Sequence, residues 1–204
     1  SMLIANAHHA HKPCRVITRK RSEFNFSFKE LIGAKNAMFT LQTHTMDDVD
    51  VIERLIIPVK AYQVEPAIRV LKPKLSHTPT IVLMHNGMGT ADIIRKLIPH
   101  SQILMATTTH GVFQEAPGRF RHTGAGETYL GAFDQNLTEF AQDTLVKDLA
   151  DFTTPLYWAN DIKTMLWQKL AINCVINPLT AIHDCQNGQL ALADFAETID
   201  ALCE

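Results

Sequence analysis

The sequence predicts an α/β fold: a mainly parallel, doubly wound sheet covered by helices on both faces. Three observations lead there. Thr80–Met84 (TIVLM) and Ile103–Thr109 (ILMATTT) are continuous apolar runs, the pattern of strands that have no solvent face. Segments with helical periodicity separate them. The rhythm strand, helix, strand, helix holds as far as Thr109, as parallel pairing requires.

The elements follow in order. Ser1-Met2 reads as a tag remnant before a natural start, and Leu3–His11 has neither a basic n-region nor a long apolar run, so it is no signal peptide. His8, His9 and His11 read as a solvated helix start rather than a metal site, and no metal is expected. Arg15–Thr18 is a short β-branched run, and Ala37–Thr43 alternates as a strand does. Leu55–Val59 is apolar, although Pro58 argues against a central position there. Ala61–Leu71 is helical, with Val64, Ile68 and Leu71 on one stripe. The strand at 80–84 ends in His85-Asn86-Gly87-Met88-Gly89, and a short helix over Asp92–Leu97 follows. Phe120–Phe133 holds two short strands around Gly124-Ala125-Gly126 and predicts an antiparallel hairpin at the sheet edge. A helix over Leu137–Leu149, an edge strand at Leu156–Trp158 and a helix over Ile162–Ile176 complete the reading. The domain boundary falls near Asn160, giving parts 1–160 and 161–204.

Composition narrows the function classes. Of 204 residues 46% are hydrophobic and 20% charged, an ordinary globular balance. Lys and Arg number 19 against 21 Asp and Glu, a net charge of −2, so no global basic field points to nucleic acid or an anionic membrane. No apolar run approaches the ~20 residues of a membrane span. The cysteines at 14, 174, 185 and 203 show no CxxC spacing, which argues against a zinc knuckle or redox dithiol and fits a reducing cytoplasm.

Three features carry chemistry. Arg19-Lys20-Arg21 follows the first strand. In a doubly wound nucleotide-binding sheet an arginine at such a place accommodates the 2′-phosphate of NADP, its guanidinium fork matching phosphate oxygens. A solvated basic turn is the alternative. Lys60 and Asn86 each stand at the C-terminal end of a predicted strand, where open α/β sheets bind ligands. Gly87 and Gly89 permit positive φ and close approach of backbone to a ligand; a tight turn beside a surface lysine is the alternative. Lys169, Asn173 and Asn177, spaced by four, form a narrow polar ribbon on an otherwise apolar helix. A solvated face carries Glu–Lys pairs instead, so this ribbon is read as facing a ligand. Pro178 biases Asn177 away from the α region, and the regular helix is expected to end or kink there.

The run Trp167–Ala181 (WQKLAINCVINPLTA) resembles the signature of the 2-dehydropantoate 2-reductase (ketopantoate reductase) family of pantothenate biosynthesis. Val59-Lys60-Ala61 with Gln63, His85–Gly89, Thr107–Gly111 and His122–Gly126 resemble the family's other motifs in the same order, over about residues 11–190. The resemblance implies a Rossmann-like domain followed by a helical one, NADP as cofactor and a small 2-keto acid as substrate. By position it implies Arg19 for the 2′-phosphate, Lys60, Asn86 and Gly87 along the cofactor and substrate cleft, Lys169 as catalytic lysine, and Asn173 and Asn177 as substrate-binding asparagines. A β-hydroxyacid dehydrogenase is the alternative enzyme, and an NADP-binding or purely structural dimer the non-enzymatic one. The family opens with a strand and a GxGxxG turn; no GxGxxG occurs here, and Leu3–His11 looks like the later part of the helix after that turn. The family also continues into a longer helical domain, which supplies a serine and a glutamate to the substrate. The sequence therefore resembles the middle of the enzyme, truncated at both ends. Weak cofactor binding, strands with unpaired edges and self-association are the corresponding expectations.

Overall fold

The computed structural model describes residues 1–31 and 36–203. In chain order the elements are α1 (Met2–His9), β1 (Val16–Ile17), β2 (Glu23–Lys29), β3 (Ala37–His44), β4 (Ile52–Ile57), α2 (Ala61–Leu71), β5 (Leu75–Leu83), α3 (Thr90–Leu97), β6 (Gln102–Thr108), β7 (Gly111–Ala116), β8 (Arg119–Gly124), β9 (Thr128–Ala132), α4 (Glu139–Ala150), β10 (Leu156–Trp158), α5 (Ile162–His183) and α6 (Ala196–Cys203). The strands form two five-stranded sheets, ordered β1-β3-β2-β8-β7 and β10-β9-β6-β5-β4.

The second sheet is the α/β core that the apolar runs predict. β4, β5 and β6 are parallel, in register Ile56↔Val82↔Leu104. Alternate side chains enter two different cores. Ile81, Leu83, Ile103 and Met105 pack with Val64 and Ile68 of α2, Ile94 of α3, and Ile162 and Leu166 of α5. Val82, Leu104, Ala106 and Leu130 pack on the other face against Leu145 and Leu149 of α4. Because both faces are dry, every ladder amide in these strands must be paired within the sheet. β4 starts three residues earlier than predicted and ends two earlier, at Ile57, since Pro58 has no N–H to continue the ladder.

The first sheet obeys a different rule. Phe24, Phe26 and Phe28 alternate with polar residues along β2, a period-two pattern in a stretch the sequence reading leaves unassigned. Phe26 and Phe28 are buried against Met2 and Ala5 of α1, whereas Met38 on β3 is 79% exposed. This sheet buries one face only. His8 and His9 end α1 exposed, with the His8 ring stacked on Phe39 at 3.8 Å.

Two expectations are corrected. Residues 120–133 are not one hairpin. β8 pairs antiparallel with β7 and parallel with β2 in the first sheet, whereas β9 pairs antiparallel with β6 in the second. The reason is burial: β8 alternates between exposed and half-buried, while β9 is largely enclosed and needs neighbours on both sides. The helix carrying Lys169 also does not end at Asn177. α5 runs through Pro178 to His183, closed by Asp184 in the left-handed region. The Thr180 hydroxyl lies 3.0 Å from the carbonyl oxygens of both Ile176 and Asn177, giving the disturbed turn an extra donor.

β1 and β4 are both edge strands, each with one unpaired side. Among the described residues no helix is long and apolar enough to cross a membrane.

The one-sided burial of the first sheet predicts unequal mutational costs. Phe26→Ala should destabilise by about 3–5 kcal/mol, and Met38→Ala by less than about 0.5 kcal/mol. Urea denaturation of the two variants measures both.

Candidate active site

The parallel register carries the C-terminal ends of β4, β5 and β6 to one end of the second sheet. Neighbouring strands lie ~4.8 Å apart, so groups just beyond three successive strands fall within a small cleft's reach. Lys60 follows β4 and caps α2; its backbone N–H donates to Gln63 Oε1 at 3.3 Å, leaving the exposed ammonium free of a capping role.

Asn86 stands in the turn after β5. Gly87 (φ 106°) and Gly89 (φ 88°) hold that turn in the left-handed region. Gly89 has open space where a Cβ would sit, so backbone conformation alone selects glycine there. His85 braces the turn. Its Nδ1 lies 3.1 Å from the Asn86 carbonyl and so carries the proton, which leaves Nε2 to accept from the Thr90 hydroxyl at 2.9 Å. The Asn86 side chain is exposed at the strand end.

Beyond β6 lies Lys169. α5 crosses β6 and β9, fixed there by the buried Ile162 and Leu166. Two turns into the helix, Lys169 Nζ donates to the Thr108 carbonyl oxygen at 2.6 Å. Thr108 is the last residue of β6, so the helix delivers the ammonium to the strand end. Burial lowers the Lys169 pKa from the ordinary lysine value. Its partner is a neutral carbonyl, which satisfies one N–H without cancelling the charge. Asn173, half-buried, and Asn177, exposed, continue the ribbon along α5. Lys60, Asn86 and the Lys169 ribbon thus stand over three adjacent strands.

Arg19 is not among them. It lies beyond β1 in the first sheet and is exposed. Its neighbour Arg21 is tied to the Asp48 carboxylate, whose pKa is lowered chiefly by the Thr45 backbone N–H. Arg15 donates to the Asp48 carbonyl at 2.8 Å; Arg15, Arg19, Lys20 and Arg21 are all exposed, and Asp48 engages the first and the last of them. A cavity of about 590 Å³, lined by Phe133, Trp158, Asp161 and Lys163 among others, opens at the opposite end of the second sheet; none of the predicted site residues lines it. Among the described residues no cluster of three His, Cys, Asp or Glu could hold a metal ion.

Sequence reasoning missed the acceptor of Lys169 and the groups around it. Thr108 and Thr128 share a hydroxyl contact of 3.1 Å, Thr128 and Thr153 one of 2.7 Å, and His110 Nδ1 lies 3.1 Å from His122 Nε2. The pairing of a Thr-Thr-Thr-His run with a later His-Thr-Gly run is the sequence signal that could have found them.

The half-buried ammonium has a measurable signature. The Lys169 amine should titrate below free lysine in a 13C-detected NMR titration. Between the lowered folded value and the unfolded one the unfolded chain binds more protons, so this residue's contribution to stability rises with pH across that window. Titration at the ordinary lysine value would contradict the burial seen here.

Known proteins resemble this chain in sequence and in fold. A family model described as ketopantoate reductase PanE/ApbA matches residues 7–135, and one for the C-terminal part of the same family matches residues 161–204. A 2-dehydropantoate 2-reductase of Vibrio cholerae is 38% identical over 172 residues, covering 83% of this chain and 57% of the relative. The chain spans about half the length of the curated relatives it matches. A crystal structure of 2-dehydropantoate 2-reductase from Geobacter metallireducens superposes with a TM-score of 0.78 at 16% identity, covering 97% of this chain and 67% of that one. D-mandelate dehydrogenase in its ternary structure with NADH and anilino(oxo)acetate gives 0.72 at 21% identity, covering 85% and 56%. The second sheet with its flanking helices is therefore the Rossmann-like fold, and the chain belongs to the ketopantoate reductase family PanE/ApbA.

Proposed function

We propose that this chain carries the substrate-handling chemistry of NADPH-dependent reduction of 2-dehydropantoate to pantoate, a step of pantothenate biosynthesis. The observation that carries the reading is the Lys169 ammonium, held 2.6 Å from the Thr108 carbonyl at the end of β6, on the same helix ribbon as Asn173 and Asn177. As a ketone is reduced, negative charge grows on its oxygen. An ammonium beside it stabilises that charge and delivers the proton. Burial brings the Lys169 pKa down toward the working range, so the proton is released more readily than from a solvated lysine. Asn173 and Asn177 offer amide donors and acceptors to a hydroxyl and a carboxylate, and Asn86 does the same from the end of the neighbouring strand β5.

The cofactor fits this chain in part. Exposed Arg19 suits a 2′-phosphate, and Lys60 with the positive-φ turn at Gly87 suits close approach of a dinucleotide. The pyrophosphate has no GxGxxG cradle among the 204 residues. NADPH supplies the hydride when bound; the residues here hold the keto acid and the proton. In this reading residues 1–160 form the cofactor side, residues 161–204 begin the substrate and dimerisation side, and the protein works in the cytoplasm as a self-associating enzyme.

Pantoate added to isotopically labelled protein should shift the NMR signals of Lys169, Asn173 and Asn86; absence of any shift at saturating pantoate sinks the reading. Lys169→Ala should cut ketopantoate-dependent NADPH oxidation by about 10²- to 10⁴-fold while leaving the circular dichroism spectrum unchanged. Calorimetry should find NADPH binding by this chain weaker than micromolar, because the phosphate loop is absent.

A further inference from the structure

The chain changes sheets immediately beyond the carbonyl that holds Lys169. β6 of the second sheet ends at Thr108 and β7 of the first begins at Gly111, leaving only Thr109 and His110 to make the crossover. Its backbone is held tightly. Thr109 N–H donates to the Glu127 carbonyl at 2.9 Å, and Glu127 N–H to Thr109 Oγ1 at 2.9 Å. Gly126 packs flat on it: a Cβ there would lie 2.5 Å from both the His110 nitrogen and the Thr109 carbonyl carbon.

His110 is the side chain at this joint. Its backbone N–H donates to Thr108 Oγ1 at 3.2 Å, which ties it to the residue whose carbonyl accepts from Lys169. Its ring Nδ1 meets His122 Nε2 of β8 at 3.1 Å, and the His122 ring lies over Phe28 of β2 with centroids 6.2 Å apart. The other ring nitrogen, Nε2, is sealed from solvent and lacks a well-formed hydrogen bond among the described residues; the Thr154 backbone lies near the ring. Burial, and then the neighbouring His122, lower the His110 pKa, which favours the neutral ring at position 110. A buried polar nitrogen without a full complement of partners is costly, and its retention calls for a role.

We propose that His110, locked by His122, is a positioning residue for Lys169: the pair fixes the crossover between the two sheets so that the Thr108 carbonyl is presented to Nζ. The proposal rests on the reading of Lys169 as proton donor. His110 touches neither substrate nor ammonium; it acts through the Thr108 peptide.

The test titrates Lys169 by NMR in wild type, His110→Leu, His122→Leu and His122→Gln, and follows amide exchange at residues 109–111. In the two leucine variants Lys169 should move into water and titrate higher than in wild type. The crossover amides should exchange about five- to tenfold faster, the factor expected for one lost hydrogen bond. His122→Gln, which can still meet His110 Nδ1, should restore both. Folded leucine variants with an unchanged Lys169 titration would overturn the proposal, as would a failure of all three variants to fold, since the pair would then serve the core alone. The titration needs no turnover. Unimpaired turnover by Lys169→Ala would instead remove the proton-donor reading and leave this coupling standing.

Discussion

From Thr80 to Leu83 in β5 and along β6 the sheet has no wet face. Ile81, Leu83, Ile103 and Met105 point into one core, and Val82, Leu104 and Ala106 into another. Each fully buried side chain of this kind contributes about 1.5–3 kcal/mol relative to exposure. A one-residue slip would send each set to the wrong core, so the register is strongly held. With the backbone denied water on both sides, the ladder must be complete, and unpaired groups are pushed to the strand ends. β4 and β5 end in register and β6 runs on to Thr108, and that end of the sheet is where Lys60, Asn86 and Thr108 stand. The site is thus a consequence of where two-sided burial stops.

The first sheet lives under a looser constraint. It buries one face against α1 and leaves β7 and much of β3 in solvent. The chain passes between the two regimes twice in quick succession, at Thr109–His110 and again at Ala125–Glu127. Both passages lie beside the Thr108 peptide. A segment that switches sheets has no ladder to hold it. Here side chains and a close-packed glycine do that work, through the Thr109–Glu127 exchange, the histidine pair and the contact of Gly126 with the 109–110 backbone.

Lys169 draws on both constraints. Ile162 and Leu166 anchor the start of α5 in the main core, and the helix then carries the ammonium out over the end of β6. Beyond Leu166 α5 buries little: Leu179 is enclosed, but Trp167, Ile172 and Ile182 are more than half exposed. At this border position Lys169 is half-buried, dry enough for its pKa to fall.

The α/β class, the positions of α2, β3, β6 and β10, and the Lys–Asn–Asn ribbon are legible in the residues alone, because apolar runs, helical stripes and four-residue spacing are local patterns. Asn86 and Gly87 are legible too, since a positive-φ turn after a buried strand has few alternatives to glycine. The sequence did not reveal β2 and β7, half-wet strands with weak patterns, nor that β8 and β9 belong to different sheets. Pro178 was misleading, because α5 runs on through it to His183 although a proline removes the N–H that would reach the Cys174 carbonyl. Only the tertiary structure decided the partner of Lys169, the distance of Arg19 in chain topology from the other site residues, and the pairing of His110 with His122. These are contacts between residues 12 to 61 positions apart, and no local periodicity encodes which backbone carbonyl a helix will deliver a lysine to.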